Sequence, residues 1–494
     1  MNLDKVLITH PLYDSYQADW QLQRDAFHGI SEFRKGKYLK AYTSDTVTPS
    51  ETINTYDIQS DGAVVAKHRA KVETTNSAYV GRTGNDDLDE GSFYGEKLKN
   101  VPLYNLCKLV VSEYNAMLFR NPPQRVLPDT PEYHSMVNNI DGENNSINEF
   151  ESELDQLVTI YGVAHVCVMK YNDRVRWRSY SPLDVINWDY AYRSDGSLEL
   201  DEVVIQLSSC EEFTVYQYLT PEKIVNVMVG SDDDWQPEDD VMAKYDDGIY
   251  YAEYENELGY IPLVTIYQNT KVHNNIGSTV IGDCAQIQRS VYADLAEIYS
   301  AITYGAHPTL VVDESTDQLN NGEIGAEPGS IVRVPTSLTG DQSFTYEFVA
   351  PDLAAITEIR ELIDNKLEKL AQMAMLRSEQ MVKTSTSGEQ IQQYDDKLSA
   401  LIRRKATNME NAEQVCWQIT ADWLNETSES IVSYNRQFNK NALAQEVSEL
   451  SSMIELAERI QAVTGESVID PETALVLTQR FVELVNSTST QNGV

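Results

Sequence analysis

A chain of 494 residues with 41% hydrophobic and 9% aromatic content has room for about three domains with real cores, and is too apolar to be a disordered chain. Its 77 Asp and Glu against 38 Lys and Arg give a net charge of −39, which excludes a conventional nucleic-acid wrapper, because displacing counterions needs clustered cations. The same balance fits a well-solvated acidic surface, or a wall that encloses DNA by repelling it.

Cys107, Cys167, Cys210, Cys284 and Cys416 are odd in number, far apart and without a CxxC pair, so they predict buried thiols rather than disulfides or a thiolate metal site. The opening Met1-Asn2-Leu3-Asp4-Lys5 lacks the apolar core of a signal peptide, and no window approaches a membrane span. These features predict a chain that stays in the cytoplasm by its own signals.

Along the chain, residues 1 to about 100 mix short helical patterns with polar loops. The stretch from His10-Pro11 through Trp20 and Arg24 to Gly29 reads as a turn into an amphipathic helix. Leu103, Leu106, Leu109, Val110, Tyr114, Met117 and Leu118 predict a core helix stopped by Asn121-Pro122-Pro123. Residues 124 to 146 are polar and Asn-rich and read as a connection. A helix from Ile147 to Tyr161 follows, with Gly162 in the cap position.

Strand character then takes over. Residues 163–169 and 174–180 flank Asn172-Asp173 as a hairpin, and Val203 to Leu207, Phe213 to Leu219, Ile224 to Val229, Ile249 to Glu253 and Ile261 to Tyr267 predict a continuing antiparallel sheet. The acidic run Ser231 to Asp240 lacks the sixth-position Gly and the terminal Glu of a calcium loop, so a solvated hairpin tip is the better reading.

Helical period returns from Ile281, with Ile287, Val291, Leu295, Ile298 and Ile302 on one face, and ends at Gly305-Ala306-His307-Pro308. A small β-rich insert follows, with strands at 309–312, 329–334 and 344–349. Pro351-Asp352 then opens a helix whose stripe is Leu353, Ile356, Ile359, Leu362, Ile363, Leu367, Leu370, Met373 and Ala374. After the polar break 381–388 a second stripe, Ile391, Tyr394, Leu398, Leu401, Ile402, Met409, Ala412, Val415, Ile419 and Trp423, predicts a helix from Ser387 to Leu424 about 57 Å long. Taken by periodicity alone, this pair reads as a coiled coil or bundle within one subunit. Beyond it come a strand at 430–434, helices at 443–463 and 471–485, and a frayed tail.

Motifs for chemistry are missing. Gly36-Lys37 has Ser31 where a P-loop needs its first glycine and Tyr38 where it needs a hydroxyl, and GxGxxG, HExxH and GxSxG do not occur. The seven His are scattered without ligand spacing, and no carboxylate pair stands out. The chain is therefore expected not to be an enzyme and to need no cofactor, with an acidic monomeric hydrolase using a carboxylate pair, or another capsid or adaptor protein, as alternatives.

The order of elements, together with Tyr79 and Arg82 before a core helix, Leu118-Phe119-Arg120-Asn121-Pro122-Pro123 at its end, Ser181-Pro182-Leu183-Asp184-Val185-Ile186-Asn187-Trp188 and Ser433-Tyr434-Asn435-Arg436-Gln437-Phe438, resembles the portal protein of tailed bacteriophages. That resemblance implies an α+β, ring-forming portal fold. Its parts would be a wing over 1–280 (helical to about 162, β-rich over 163–270), stem helices at 281–304 and 351–376, and a clip at 305–350. A tunnel loop at 377–388, a long wing helix and strand at 389–439 and a crown at 440–494 would complete it. A dodecameric ring at one capsid vertex would then pass the genome during packaging and ejection, in the virion and, during assembly, in the host cytoplasm. Implied partners are the terminase large subunit, a head-completion adaptor, major capsid and scaffolding proteins, and double-stranded DNA in transient contact, with no membrane. Arg377, Lys383, Thr384, Ser385 and Thr386 would face the DNA channel; Asp317, Asn320, Asn321, Glu323 and Arg333 would lie on the docking clip. For Lys383 a brief phosphate contact and a solvated loop lysine are equally compatible with the residue pattern.

Overall fold

The computed structural model describes residues 3–29, 53–58, 64–70, 101–171, 174–232, 235–237, 242–306, 309–313, 331–334, 347–349, 354–376, 388–427 and 430–436. After a short 3-10 helix at Leu3–Leu7, α1 (Pro11–His28) starts with a proline in its first turn, where no amide is wasted. His10 Nδ1 accepts from the Leu12 amide at 3.1 Å to cap it, and left-handed Gly29 ends it. The hairpin β1 (Ile53–Ile58) and β2 (Val64–Ala70) falls where the sequence predicted helical patterns and loops.

Helix α2 (Leu106–Leu118) is a core helix, as its periodicity predicts, with Cys107, Val110, Val111, Tyr114 and Leu118 wholly buried. The stretch read as a connection instead holds β3 (Gln124–Val126) and α3 (Pro131–Asn138). Its short α3 buries just Tyr133 and Met136, too few positions to stand out as a periodic signal. Helix α4 (Ile147–Tyr161) opens with a reciprocal Ser146–Glu149 capping box and closes on Gly162. Gly162 is left-handed (φ 78°), and a Cβ on Gly277 would lie 2.0 Å from the Gly162 carbonyl oxygen, so two backbones meet there with no space for a side chain.

The strands form two sheets rather than one. Strands β4 (Val163–Tyr171) and β5 (Arg174–Tyr180) make the expected hairpin, joined on the β4 edge by β12 (Leu263–Tyr267). Strands β6 (Val185–Tyr192), β7 (Leu198–Ser209), β8 (Phe213–Leu219), β9 (Lys223–Gly230), β10 (Ala243–Asp246) and β11 (Ile249–Glu255) form a separate antiparallel sheet in the order β10-β11-β9-β8-β7-β6. Sequence alternation marks strands but not which neighbour each pairs with, which is why the sheets merged in the sequence reading. Trp235, in the acidic run, packs against Phe213 and Tyr250 at ring-centroid distances of 5.1 and 6.0 Å. That part of the run is therefore pinned to the sheet rather than a purely solvated tip.

A two-strand turn, β13 (Lys271–His273) and β14 (Ile276–Gly277), leads into α5 (Ile281–Ala306). The insert contributes β15 (Thr309–Asp313), β16 (Ile331–Val334) and β17 (Glu347–Val349), with β15 central, parallel to β16 and antiparallel to β17. Helix α6 (Ala354–Met373) returns, and α7 (Gly388–Leu424) runs for 37 residues, about 55 Å at the usual rise. The last described strand, β18 (Ile431–Ser433), pairs with β3.

Helices α4 and α7 both pack on β4, whose first seven residues are buried, so the apolar side chains of α7 and this sheet belong to one core. Trp177 of β5 meets Trp417 of α7 edge-on at 4.8 Å, and its indole donates to Thr420 Oγ1 at 3.0 Å. Four cysteines are buried, as predicted; Cys210 is exposed, in a turn where its thiol reaches the Phe213 carbonyl. No described helix is long and apolar enough to cross a membrane.

Candidate functional site

The unit that stands out is a helix, a small sheet and a returning helix. Helix α5 is tied to the body by Gln288, 1% exposed, whose Oε1 accepts from the Cys107 amide at 2.9 Å and whose Nε2 donates to the Ala26 carbonyl at 2.8 Å. One side chain thereby joins α5 to α1 and α2. Helix α6 packs on α5: Lys366 bonds to Ser290 Oγ at 2.7 Å and forms an ion pair with Asp294. Its end is held where the Tyr114 hydroxyl donates to the Ala374 carbonyl at 2.7 Å.

The outer faces of this helix pair are not sealed. Tyr299, Ile302, Leu362 and Met373 are 41, 42, 47 and 37% exposed. Tyr104, Leu295, Ile298, Ile302 and Ile363 line an open cleft of about 670 Å³ that includes Arg360 and Asp364. Leu362 and Met373 sit three turns apart on α6, at the edge of the apolar stripe and about 100° around the helix from Ile363. The pair is more acidic than basic: Asp283, Asp294 and Glu297 against Arg289 on α5, and Glu358, Glu361, Asp364 and Glu368 against Arg360, Lys366 and Lys369 on α6.

Of the residues singled out from the sequence, Arg377, Lys383, Thr384, Ser385 and Thr386 lie outside the described residues, in the stretch linking α6 to α7. Asp317, Asn320, Asn321 and Glu323 also lie outside them. Arg333 is on β16, in register with Val312 of β15.

Sequence reasoning missed two buried ionic clusters on α7. Lys405 Nζ lies 2.7 Å from Asp155 Oδ1, both side chains wholly buried, and also bonds to the Thr159 hydroxyl. Burial pulls the Lys405 pKa down, and Asp155 opposes that. In the second cluster Arg125 holds Glu413 through Nε to Oε1 at 2.5 Å and Nη2 to Oε2 at 3.1 Å. The Trp417 indole donates to Glu413 Oε1 at 3.0 Å, and the Tyr434 hydroxyl lies 2.9 Å from Glu413 Oε2 and 3.3 Å from Glu151 Oε2. The available signal was a charge at 405 and another at 413, inside the apolar stripe Ile402, Met409, Ala412 and Cys416. Elsewhere, burial holds the His165 pKa down to about 3, so that ring is neutral. Among the described residues no group of three or more His, Cys, Asp or Glu is arranged to hold a metal ion.

No family model and no curated protein matches the chain. Among solved structures, it is similar to a chain in the neck of an empty gene transfer agent (GTA) particle computed with C6 symmetry, at 9% identity and a TM-score of 0.42, over 77% of this chain and 91% of that one. It is also similar to a chain in the virion of a native GTA particle, at 10% identity and a TM-score of 0.34, over 76% of this chain and 89% of that one. A chain in the neck of a native GTA particle computed with C12 symmetry matches at 9% identity and a TM-score of 0.34, over 75 and 89%.

Proposed function

We propose that this chain is the portal subunit of a tailed-phage-like particle: a structural, non-enzymatic protein whose copies close into a dodecameric ring at one capsid vertex. In this reading α5 and α6 are the stem, the β15–β17 sheet the clip, residues 377–388 the tunnel loop, α7 the long wing helix and residues 440–494 the crown. The terminase large subunit and later a head-completion adaptor would dock on the clip, with capsid and scaffolding proteins around the ring. The observation that carries the reading is the continuous run of helix, three-stranded insert, packed return helix and 37-residue helix.

Two physical features support it. Copies in a ring meet through two different faces, and a helix pair with an apolar cleft and a separate patch at Leu362 and Met373 offers two such faces. A conduit must not grip DNA, because every neutralised phosphate adds a contact to break, and the acidic balance of α5 and α6 keeps such contacts few. Negative-stain imaging of the purified chain tests the proposal: annular particles with a central hole are expected, and a monomer that persists at high concentration overturns it.

A further inference from the structure

The cluster around Tyr434 has a proton count that does not balance with every acid ionised. It draws Arg125 from β3, Glu151 and Asp155 from α4, Lys405, Glu413 and Cys416 from α7, and Tyr434 from the segment after β18. Two of these groups are cationic and three are carboxyls. Lys405 pairs with Asp155, and Arg125 with Glu413. Among the described residues Glu151, 1% exposed, has no cation to itself and only shares the field of Arg125.

The hydrogen bonds agree with that count. Glu413 already accepts from Arg125 and Trp417, and the single Tyr434 hydroxyl proton points best at its Oε2, 2.9 Å away. A second carboxylate at 3.3 Å would then meet only the oxygen of Tyr434. If Glu151 carries a proton, the same contact becomes a hydrogen bond from its carboxyl to that oxygen, and the cluster is neutral.

The segment 430–436 depends on this corner. Its backbone is laid along α7: Gln414 Nε2 donates to the Ser430 carbonyl at 2.5 Å, the Val432 amide donates to Gln414 Oε1 at 3.1 Å, and the Tyr434 amide donates to Glu410 Oε2 at 2.9 Å. Arg403 Nε reaches the Arg436 carbonyl at 3.1 Å, and Arg436 pairs with Glu410 at 2.7 Å. The Tyr434 side chain is the deep anchor, 3% exposed and edge-on to Phe119 at 6.2 Å.

We propose that Glu151, Tyr434 and Glu413 form a proton-held latch, in which a carboxyl proton kept on Glu151 seats the segment 430–436 on α4 and α7, and loss of that proton on opening releases it. Burial, and then the nearby Glu413, push the Glu151 pKa well above the usual carboxylate range, and burial likewise keeps the Tyr434 hydroxyl protonated. Opening wets Glu151, returns it to ordinary acidity and frees its proton, so each rise in pH favours the open form. The latch stands whether or not the chain forms a ring.

Hydrogen exchange of the 430–436 amides in the full chain, corrected for intrinsic rate, provides the test. In the wild type the opening constant is expected to rise with pH above the ordinary carboxylate range, by up to about tenfold per unit, and to level off once the closed form also loses the proton, the dependence set by one released proton. Glu151→Gln keeps a donor toward the Tyr434 oxygen but has no proton to lose, and should show a flat profile. Equal slopes in the two chains, or no slope in the wild type, overturn the latch. Should Glu151→Gln fail to fold, the infrared spectrum decides: a protonated-carboxyl band is expected in the wild type at about pH 7 and should shift in Tyr434→Phe, where the acceptor oxygen is gone. Absence of that band overturns the proposal.

Discussion

Lys405 is wholly buried on α7, its ammonium between Asp155 and Thr159 of α4. Removing both charges from water is costly, and the pair recovers that cost only while both partners are present. Asp155→Ala, which strands the lysine, is therefore expected to destabilise the chain by about 3–5 kcal/mol, whereas Asp155→Leu with Lys405→Met should be neutral or stabilising by about 1–4 kcal/mol. Urea unfolding followed by tryptophan fluorescence measures both, and a single variant as stable as the double one would show the pair to be uncoupled. Lys405 and Glu413 interrupt an apolar stripe in the sequence, a signal that went unread and that does not name their partners. Asp155, Glu151 and Arg125 come from distant elements, and pairing across elements leaves no local spacing to read.

At the scale of elements, long periodic helices were the most legible part. The sequence predicted α5 from Ile281 and the α7 span from Ser387 to Leu424, and the structure has them at Ile281–Ala306 and Gly388–Leu424. The three insert strands also fell where expected, though not the parallel pairing of β15 with β16. Short elements failed: β3 and α3 bury too few side chains to show a period, and the division into two sheets depends on strand partners. The candidate channel and clip residues were chosen from a resemblance, and all but Arg333 lie outside the described residues.

The polar tie that joins α5 to α1 and α2 was invisible from sequence, because it is a single glutamine. Gln288 satisfies a backbone donor on α2 and a backbone acceptor on α1. Gln288→Ala leaves both buried and unpaired, at about 1–3 kcal/mol for each group, and loosens α5 from α1. The expected outcome is a lower thermal midpoint together with faster amide exchange at Cys107, while Gln288→Glu, which keeps the acceptor toward that amide, should protect Cys107 better than the alanine variant does.

At the scale of the whole molecule, an acidic chain with apolar side chains left open on its central helix pair combines two tendencies that act in opposite directions. Net charge of −39 makes copies repel, more weakly as salt screens it over a Debye length of about 8 Å near physiological ionic strength. Burying the exposed faces of α5 and α6 against neighbours acts the other way, at about 25 cal/mol for each Å² removed from water. If the copies close into the proposed ring, closure should therefore strengthen as salt is added. Ile302→Asp and Leu362→Asp each put a charge on one of the two proposed contact patches, at sites 42 and 47% exposed in the single chain. Each is expected to leave the monomer's circular dichroism unchanged and its stability within about 0.5 kcal/mol, yet to block closure. Because closure needs both faces on every copy, an equimolar mixture of the two variants should pair by their intact faces and stop short of a ring. Light scattering of each variant and of the mixture measures this, and rings of wild-type mass from either variant alone would show that these faces do not meet.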